Sequence, residues 1–447
     1  MLSRRRFLTA TAASAVTASG CTRAADVLGL RPVVRVAVSW SADELAAFGA
    51  VLAGLDVRDY GIELIPLGDD IETALGPTSG KYGRRPDLVM LPRPGLVAEH
   101  LDDLEPLPDD LRKRWAYAPV WRDLLIHPNS PGGRAYGLPF KLAHKSTVWY
   151  RKDVFARLGL DLPDTWSAWI VLNSRLVDAG VPPLALAGAD GWALTDIFEN
   201  VLLGCSRRTY RRLELPAVPR PWTDPAVEQA FRLLGRMWAP ARVLAGGPVR
   251  SLVQQFPDAV VEVFGHRRAA MVIAADFAEP VVRRFAADRD EVGVFAFPVV
   301  DGTPDDPVPN PAGRPVIVGG DVAVLAKPAS EHATDLLTRL ARPTAPLPWI
   351  ERYGGFLAAN QDASVAHYSA ALEPLAVQLN DATQLIAFDL SDQLGALGGS
   401  DGLWRVLQDF LVRVTGRGLD DVPSAAEDAC RTLRRLEDRL PPQTGRR

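Results

Sequence analysis

The sequence predicts an α/β protein of two domains, opening with a parallel sheet flanked by helices. Three observations carry this. At 447 residues the chain is too long for one compact core. Apolar residues make up 47% and charged residues 23%, the balance of a globular protein. Residues 33–91 alternate between strand-like and helix-like periodicity, which argues for a parallel sheet with helices on both faces.

The elements follow in order. Val33-Val34-Arg35-Val36-Ala37-Val38 is β-branched and partly alternating, a first strand. In residues 41–55, Leu45, Phe48, Val51 and Leu52 recur at helical spacing. Ser41 stands as the cap with Glu44 three residues on, a capping box. Ile62-Glu63-Leu64-Ile65-Pro66 predicts a second strand and Asp87-Leu88-Val89-Met90-Leu91 a third. Ligands of such sheets sit at the carboxyl ends of the strands, which singles out Trp40 and Arg93. Strands are expected at 135–140, 146–150, 269–273, 293–298 and 316–325, and helices at 151–158 and after Thr165. Residues 301–314 are rich in Pro, Gly and Asp and predict a loop. Residues 403–440 read as helical, and 441–447 as a disordered tail.

The amino terminus predicts export. Arg4, Arg5 and Arg6 precede a weakly apolar Ala/Thr-rich run, so residues 1–20 read as a signal peptide. Ser3-Arg4-Arg5-Arg6-Phe7-Leu8 resembles a twin-arginine signal, with ordinary secretion as the other reading. Ala18-Ser19-Gly20-Cys21 resembles a lipobox with Ala at the position usually held by Leu, Val or Ile. Cys21 is the expected lipid acceptor. A diacylglycerol there would supply the second chain that stable anchoring needs. No other run of apolar residues is long enough to span a membrane. Removing residues 1–20 leaves 47 basic against 54 acidic residues, which argues against a nucleic-acid partner. Cys205 and Cys430 remain, as a disulfide or as two buried thiols.

Catalytic motifs do not stand out. The six His are scattered, without H-E-x-x-H spacing. There is no nucleophile elbow, no phosphate-binding loop and no Cys cluster for a metal. No cofactor is expected. A glycosidase would need two carboxylates flanking a bond, for which Asp196 with Asp276 or Asp321 is the available pairing. A lipoprotein scaffold without a transport partner is a further class.

A family resemblance rests on several motifs. Tyr136-Gly137-Leu138-Pro139, then Lys145, then Val148-Trp149-Tyr150-Arg151-Lys152-Asp153-Val154-Phe155 resembles a signature of the extracellular solute-binding proteins of sugar ABC importers. Arg151 stands where that family usually has Asn. Leu162-Pro163-Asp164-Thr165-Trp166 continues the likeness, with Asp164 in place of Pro or Lys. Trp192-Ala193-Leu194-Thr195-Asp196 resembles the α-glucoside-type members. Residues 265–277, Gly319-Gly320-Asp321 and Tyr353-Gly354-Gly355 resemble later ligand-side elements. The resemblance implies a two-lobe fold of the periplasmic-binding-protein type (type II) with a cleft that closes by hinge motion. It implies lobes of 33–142 with 315–350 and of 143–314 with 351–440, each a mostly parallel sheet flanked by helices, the first lobe following a linker at 21–32. It also implies a monomer that captures a disaccharide or short oligosaccharide, without changing it, for membrane permease subunits.

Sugars present hydroxyl edges and apolar C–H faces, so carboxylates and flat aromatic rings are the groups to seek. Trp40, Trp192, Phe277 and Tyr353 are aromatic candidates, each with core packing as the alternative. Trp192 sits in a Gly-rich stretch four residues before Asp196. Asp196 and Glu199 read as lying at a helix start, where an acid is favoured in any case. Asp276 follows a buried strand. Asp321 follows Gly319-Gly320, where the backbone can approach a ligand closely, and Gly320 and Gly354 are themselves candidates. Arg93 offers a forked donor. Lys141, His144 and Lys145 form a basic cluster that is either a solvated face or the mark of an anionic ligand such as a glycerophosphodiester.

Overall fold

The structure is a computed structural model. It describes residues 31–40, 42–76, 85–113, 116–126, 133–215, 219–303, 306–309, 311, 313–381, 386–415 and 418–439. The predicted signal peptide, Cys21, Ser41 as a cap and the tail 441–447 lie outside the described residues.

Strands are numbered in chain order. β1 (Val33–Val38), β2 (Gly61–Pro66), β3 (Leu88–Leu91), β4 (Leu104–Glu105) and β5 (Leu138–His144) come first. β6 (Thr147–Arg151), β7 (Leu184–Ala185), β8 (Met271–Ile273) and β9 (Val292–Ala296) follow, then the short β10 (Gly302–Thr303) and β11 (Asp306–Pro307). Last come β12 (Ile317–Ala326), β13 (Leu357–Ala358) and β14 (Ala387–Phe388). The large sheet runs β13-β5-β12-β3-β1-β2, with β4 and β14 also on β12; the small sheet runs β7-β8-β6-β9.

β1 pairs in parallel with β2 and β3, as the strand–helix–strand alternation requires. The helix Ala42–Ala53 buries Ala47, Phe48, Val51 and Leu52, the face given by its periodicity. Beyond these three strands the sheets are mixed: β14 joins β12 and β7 joins β8 in parallel. β12 pairs antiparallel with β3, β4 and β5, and β6 pairs antiparallel with β8 and β9. The reason is chain path: β12 returns from the small sheet and is inserted between β3 and β5 in the opposite direction. All ten of its residues are buried, so its near-continuous apolar run marks a central strand.

The chain passes between the two sheets three times. β5 ends at His144 and β6 begins at Thr147, so Lys145 and Ser146 make the first passage. The second lies between β9 and β12, and the third follows β14. Segment 351–440, expected with the second lobe, divides. β13 and β14 join the large sheet, while the helices Leu403–Val414 and Val422–Glu437 pack on the helices Gly191–Cys205 and Pro225–Trp238 of the second lobe.

That helical layer shows how local sequence sets packing. Asp224 caps Pro225–Trp238 by accepting from the Ala226 amide, and Pro225 starts the helix without wasting a donor. Val227, Ala230, Phe231, Leu234 and Trp238 then face inward at helical spacing. Phe231 meets Phe198 and Phe410 with ring centroids 4.7 and 5.1 Å apart. Cys205 and Cys430 are free and buried in this core, and burial pushes both thiols up to about 12.

A candidate ligand cleft between the lobes

Both lobes contribute walls to the junction. On the first-lobe side, Trp40 follows β1, at the strand end where ligands collect. Its ring meets Phe48 at 4.9 Å and Trp349 at 5.1 Å, both edge to face. Lys141 in β5 and Asp321 in β12 are cross-strand partners beside a bulge, where β5 carries an extra residue before Pro139 resumes the pairing. A bulge re-aims side chains and admits a proline inside a sheet. Gly320 precedes it with φ +151°, and a Cβ there would lie 2.1 Å from the Lys141 carbonyl oxygen. Only glycine lets the two strands close at this point.

Lys141 is buried yet well partnered. Its Nζ lies 2.8 Å from Glu44 Oε1, 5.1 Å from the Trp349 ring centre and 5.8 Å from that of Phe277. Glu44, read from the sequence only as part of a capping box, thus reaches into the site. Burial works to lower the Lys141 pKa, but the charges of Glu44, Asp321 and Asp276 outweigh it and hold the ammonium above its ordinary value.

Phe277 and Asp276 follow β8 and form the second-lobe wall. Asp276 Oδ1 accepts from the His144 amide at 2.6 Å, while Oδ2 is buried with no hydrogen-bond donor among the described residues. Burial raises the Asp276 carboxyl to about 7 against the pull of Lys141. Burial does the same to Asp321, also to about 7, against Lys141 and a hydrogen bond from Trp40. Trp192 leans on Phe256 at 5.2 Å and Phe277 at 5.9 Å. His144 sits beneath, its pKa lowered to about 4 by burial, so the ring stays neutral at ordinary pH.

Asp196 and Glu199 are not at a helix start. The helix begins at Gly191, so both lie in its body and are buried. Trp192 and Asp196 share one face at i, i+4 spacing. Asp196 Oδ1 receives Lys145 Nζ at 3.1 Å, and Lys145 also bonds Asp389. Burial raises Asp196 to about 7. Glu199 accepts from the Leu390 and Ser391 amides at 2.7 and 2.9 Å and from the Tyr210 hydroxyl at 3.0 Å. The first passage between the sheets is thereby tied to the third. Arg93 stands on this side, paired with Glu72, and its charge also acts on Asp392.

Tyr353 and Gly354 sit in a turn at the cleft edge. Tyr353 packs, partly buried, on the first-lobe core. Gly354 and Gly355 have φ +72° and +62°, and the Gly355 amide donates to Glu279 Oε2 of the second lobe at 2.8 Å. A Cβ on Gly355 would come within 3.2 Å of the Phe277 Cα, so this turn presses the lobes together beside the aromatic wall.

The structure therefore gathers Trp40, Lys141, Trp192, Asp276, Phe277, Gly320 and Asp321 into one junction, with Tyr353 and Gly354 at its edge. Arg93 and Asp196 belong to the adjoining ionic group around Lys145. The sequence reading missed Glu44, Phe256, Glu279, Asp389 and Asp392; the last three carry no local motif and are recruited by tertiary folding alone. Lys141, Lys145 and Arg93 each have a carboxylate partner, so the charge of the basic cluster is compensated within the protein. The arrangement offers flat rings and buried hydrogen-bonding oxygens. Among the described residues no group of His, Cys, Asp and Glu could hold a metal, and no helix is long and apolar enough to cross a membrane.

Comparison with known proteins agrees with this geometry. Residues 73–336 match the family described as bacterial extracellular solute-binding protein. The osmoprotective compounds-binding protein GgtB of Synechocystis sp. is 27% identical over 370 residues, covering 78% of this chain and 82% of that protein. The alpha-glucosides-binding periplasmic protein AglE of Rhizobium meliloti is 27% identical over 413 residues, covering 87% and 85%. The solved structure of the bacterial solute receptor AcbH superposes with a TM-score of 0.70 at 18% identity, over 90% of this chain and 99% of that one. Maltose-bound MalE3 of T. maritima gives 0.65 at 17% identity, over 91% and 99%. The fold is thus the two-lobe, type II binding-protein fold.

Proposed function

We propose, from the premise that this chain belongs to the bacterial extracellular solute-binding proteins of sugar ABC importers, that its ligand is a neutral disaccharide or short oligosaccharide held between the lobes. The observation that carries the reading is the junction itself: aromatic rings from both lobes stand around buried carboxylates, and every cation there is matched by an acid. Such a lining suits C–H faces and hydroxyls. Asp276 Oδ2, buried and without a donor among the described residues, is the acceptor left for a ligand hydroxyl. The reading is supported by relatives described as binding α-glucosides or osmoprotective compounds.

In this reading Trp40, Lys141, Trp192, Asp276, Phe277, Gly320, Asp321, Tyr353 and Gly354 form the ligand site, and Arg93 and Asp196 border it. Ligand contacts made by both lobes exist only in the closed state, so binding shifts the population towards closure. Residues 33–142 with 315–350 serve as one lobe, to which 351–390 is added by the pairing of β13 and β14. The remaining body, 143–314 and 391–440, serves as the other. The protein acts as a monomer, performs no chemistry on the sugar and hands it to permease subunits. Cys21 carries the lipid that holds it at the outer face of the cytoplasmic membrane.

A thermal-shift screen of residues 22–447 tests this. The panel holds α-linked disaccharides, trehalose, short maltooligosaccharides and glycerophosphodiesters. A ligand that binds only the folded state raises the melting temperature by mass action. We expect a rise with one class of neutral sugar. A rise with phosphodiesters alone, or with nothing at millimolar concentration, contradicts the proposal.

A further inference from the structure

The second lobe holds a cavity away from the cleft. β6 leaves the cleft at Thr147 and ends at Arg151, roughly 13 Å on at the strand rise. Around that far end lies a space of about 560 Å³ lined by Arg151, Arg157, Arg250, Arg267 and Arg268, with Glu262 as the one carboxylate on its wall. The chain is acidic overall, so five arginines on one concavity run against its composition.

Their hydrogen-bonding capacity is only partly used. A guanidinium has five N–H donors. Buried Arg151 gives Nε and Nη2 to Asp153 and Nη1 to the Arg267 carbonyl. Arg250 donates to Glu262 at 3.0 Å, and Arg268 approaches the same carboxylate only to 3.6 Å. Arg267 pairs with Asp153 and Glu291. Arg157 has no carboxylate partner among the described residues. Five cations thus share three carboxylates, the reverse of the cleft, where each cation is matched. Arg267 is held at φ +58°, a conformation unfavourable for a residue with a Cβ, so the fold maintains its position at a cost. A second space of about 300 Å³ adjoins, sharing Gly180, Val181, Pro182 and Gly246 and adding Val177, Arg242, Leu244 and Gly247. The arginine-lined space therefore adjoins one whose wall carries Val177, Val181 and Leu244, with Arg242 as its added cation.

We propose that this cavity is a second ligand site, for a phosphate group or phosphate ester whose carbon portion lies along Val177, Val181 and Leu244. Forked arginine donors match phosphate oxygens, and the volume is that of a small-molecule site. The phosphate belongs either to a free solute or to an anionic lipid headgroup, and the test separates them.

The folded mature chain is titrated by calorimetry with inorganic phosphate and glycerol 3-phosphate, at roughly physiological ionic strength because screening weakens exposed charges. It is also sedimented with vesicles of phosphatidylcholine, with and without phosphatidylglycerol. The comparison is the double variant Arg157→Ala, Arg268→Ala, whose two positions are exposed. We expect saturable binding of a soluble probe or of the anionic vesicles, weakened at least tenfold in the variant. The variant keeps the parent's melting temperature and its affinity for a cleft sugar within twofold. Binding of the soluble probes assigns a free solute; binding of vesicles alone assigns a headgroup. No saturable binding of any probe, or binding that the variant leaves unchanged, overturns the proposal. The sugar titration stands apart, so failure here is distinct from failure of the cleft reading.

Discussion

Asp276 holds one oxygen on the His144 amide and leaves the other without a donor among the described residues. Burying such an atom is costly unless something bonds it. Asp276→Asn keeps shape and the His144 contact while replacing an acceptor by a donor. It should weaken sugar binding at least tenfold with the apo melting temperature nearly unchanged; a large apo loss would make Asp276 structural. The pH dependence follows from the same residues. Burial raises Asp196, Asp276 and Asp321 to about 7 from an ordinary value near 4. A carboxyl raised in the folded state contributes stability that is present below its unfolded pKa and lost as pH climbs through its folded pKa. His144, lowered to about 4, acts in the opposite direction but is one group against three. Apo stability measured by denaturant titration should therefore fall between about pH 4 and pH 7. A rise across that window would contradict the burial assigned to these acids. Trp40, Asp276 and Asp321 were legible in the sequence because each follows or lies on a recognisable strand. Glu44 was visible only as a helix cap, since nothing local reveals that β5 carries Lys141 past it.

Among the elements, β12 and β5 form the spine of the site. Gly320 at φ +151° permits their approach at the bulge. Gly320→Ala should cost about 2–3 kcal/mol by forcing the strand off the Lys141 carbonyl, read as a lowered denaturation midpoint. An unchanged midpoint would deny the close approach. The periodicities gave β1, β2, β3 and their helix, because a half-buried helix and a buried strand leave distinct marks. They could not give direction: β12 reads as an apolar run whether it enters parallel or antiparallel, and the inserted order is set by a chain returning from the other lobe. The two-residue strands β13 and β14 are too short to pattern, which is why 351–390 reads with the rest of 351–440 as second lobe although both strands pair in the large sheet.

Between the two lobes, Lys145 is the fixed point. It sits on the first passage and joins Asp196 of one lobe to Asp389 beside the other. Removing one partner of a buried ionic group leaves uncompensated charge, so Lys145→Met should destabilise by about 3–5 kcal/mol, seen as a melting temperature lowered by several degrees. A loss below about 1 kcal/mol would mean that the passages are not coupled through this group. The predicted lipid anchor also acts at this scale. Cys21→Ser should release the protein from membranes, and retention of that variant would sink the anchor.

The central claim is that the interlobe junction binds a neutral sugar through Trp192 and the second-lobe wall. Its most direct test is calorimetric titration of an α-linked disaccharide into the native chain and into Trp192→Ala under identical conditions. The account predicts saturable one-to-one binding, at least tenfold weaker in the variant, with both apo proteins melting at nearly the same temperature. Equal affinity in the two proteins, or no binding of any neutral sugar by the native chain, would contradict it.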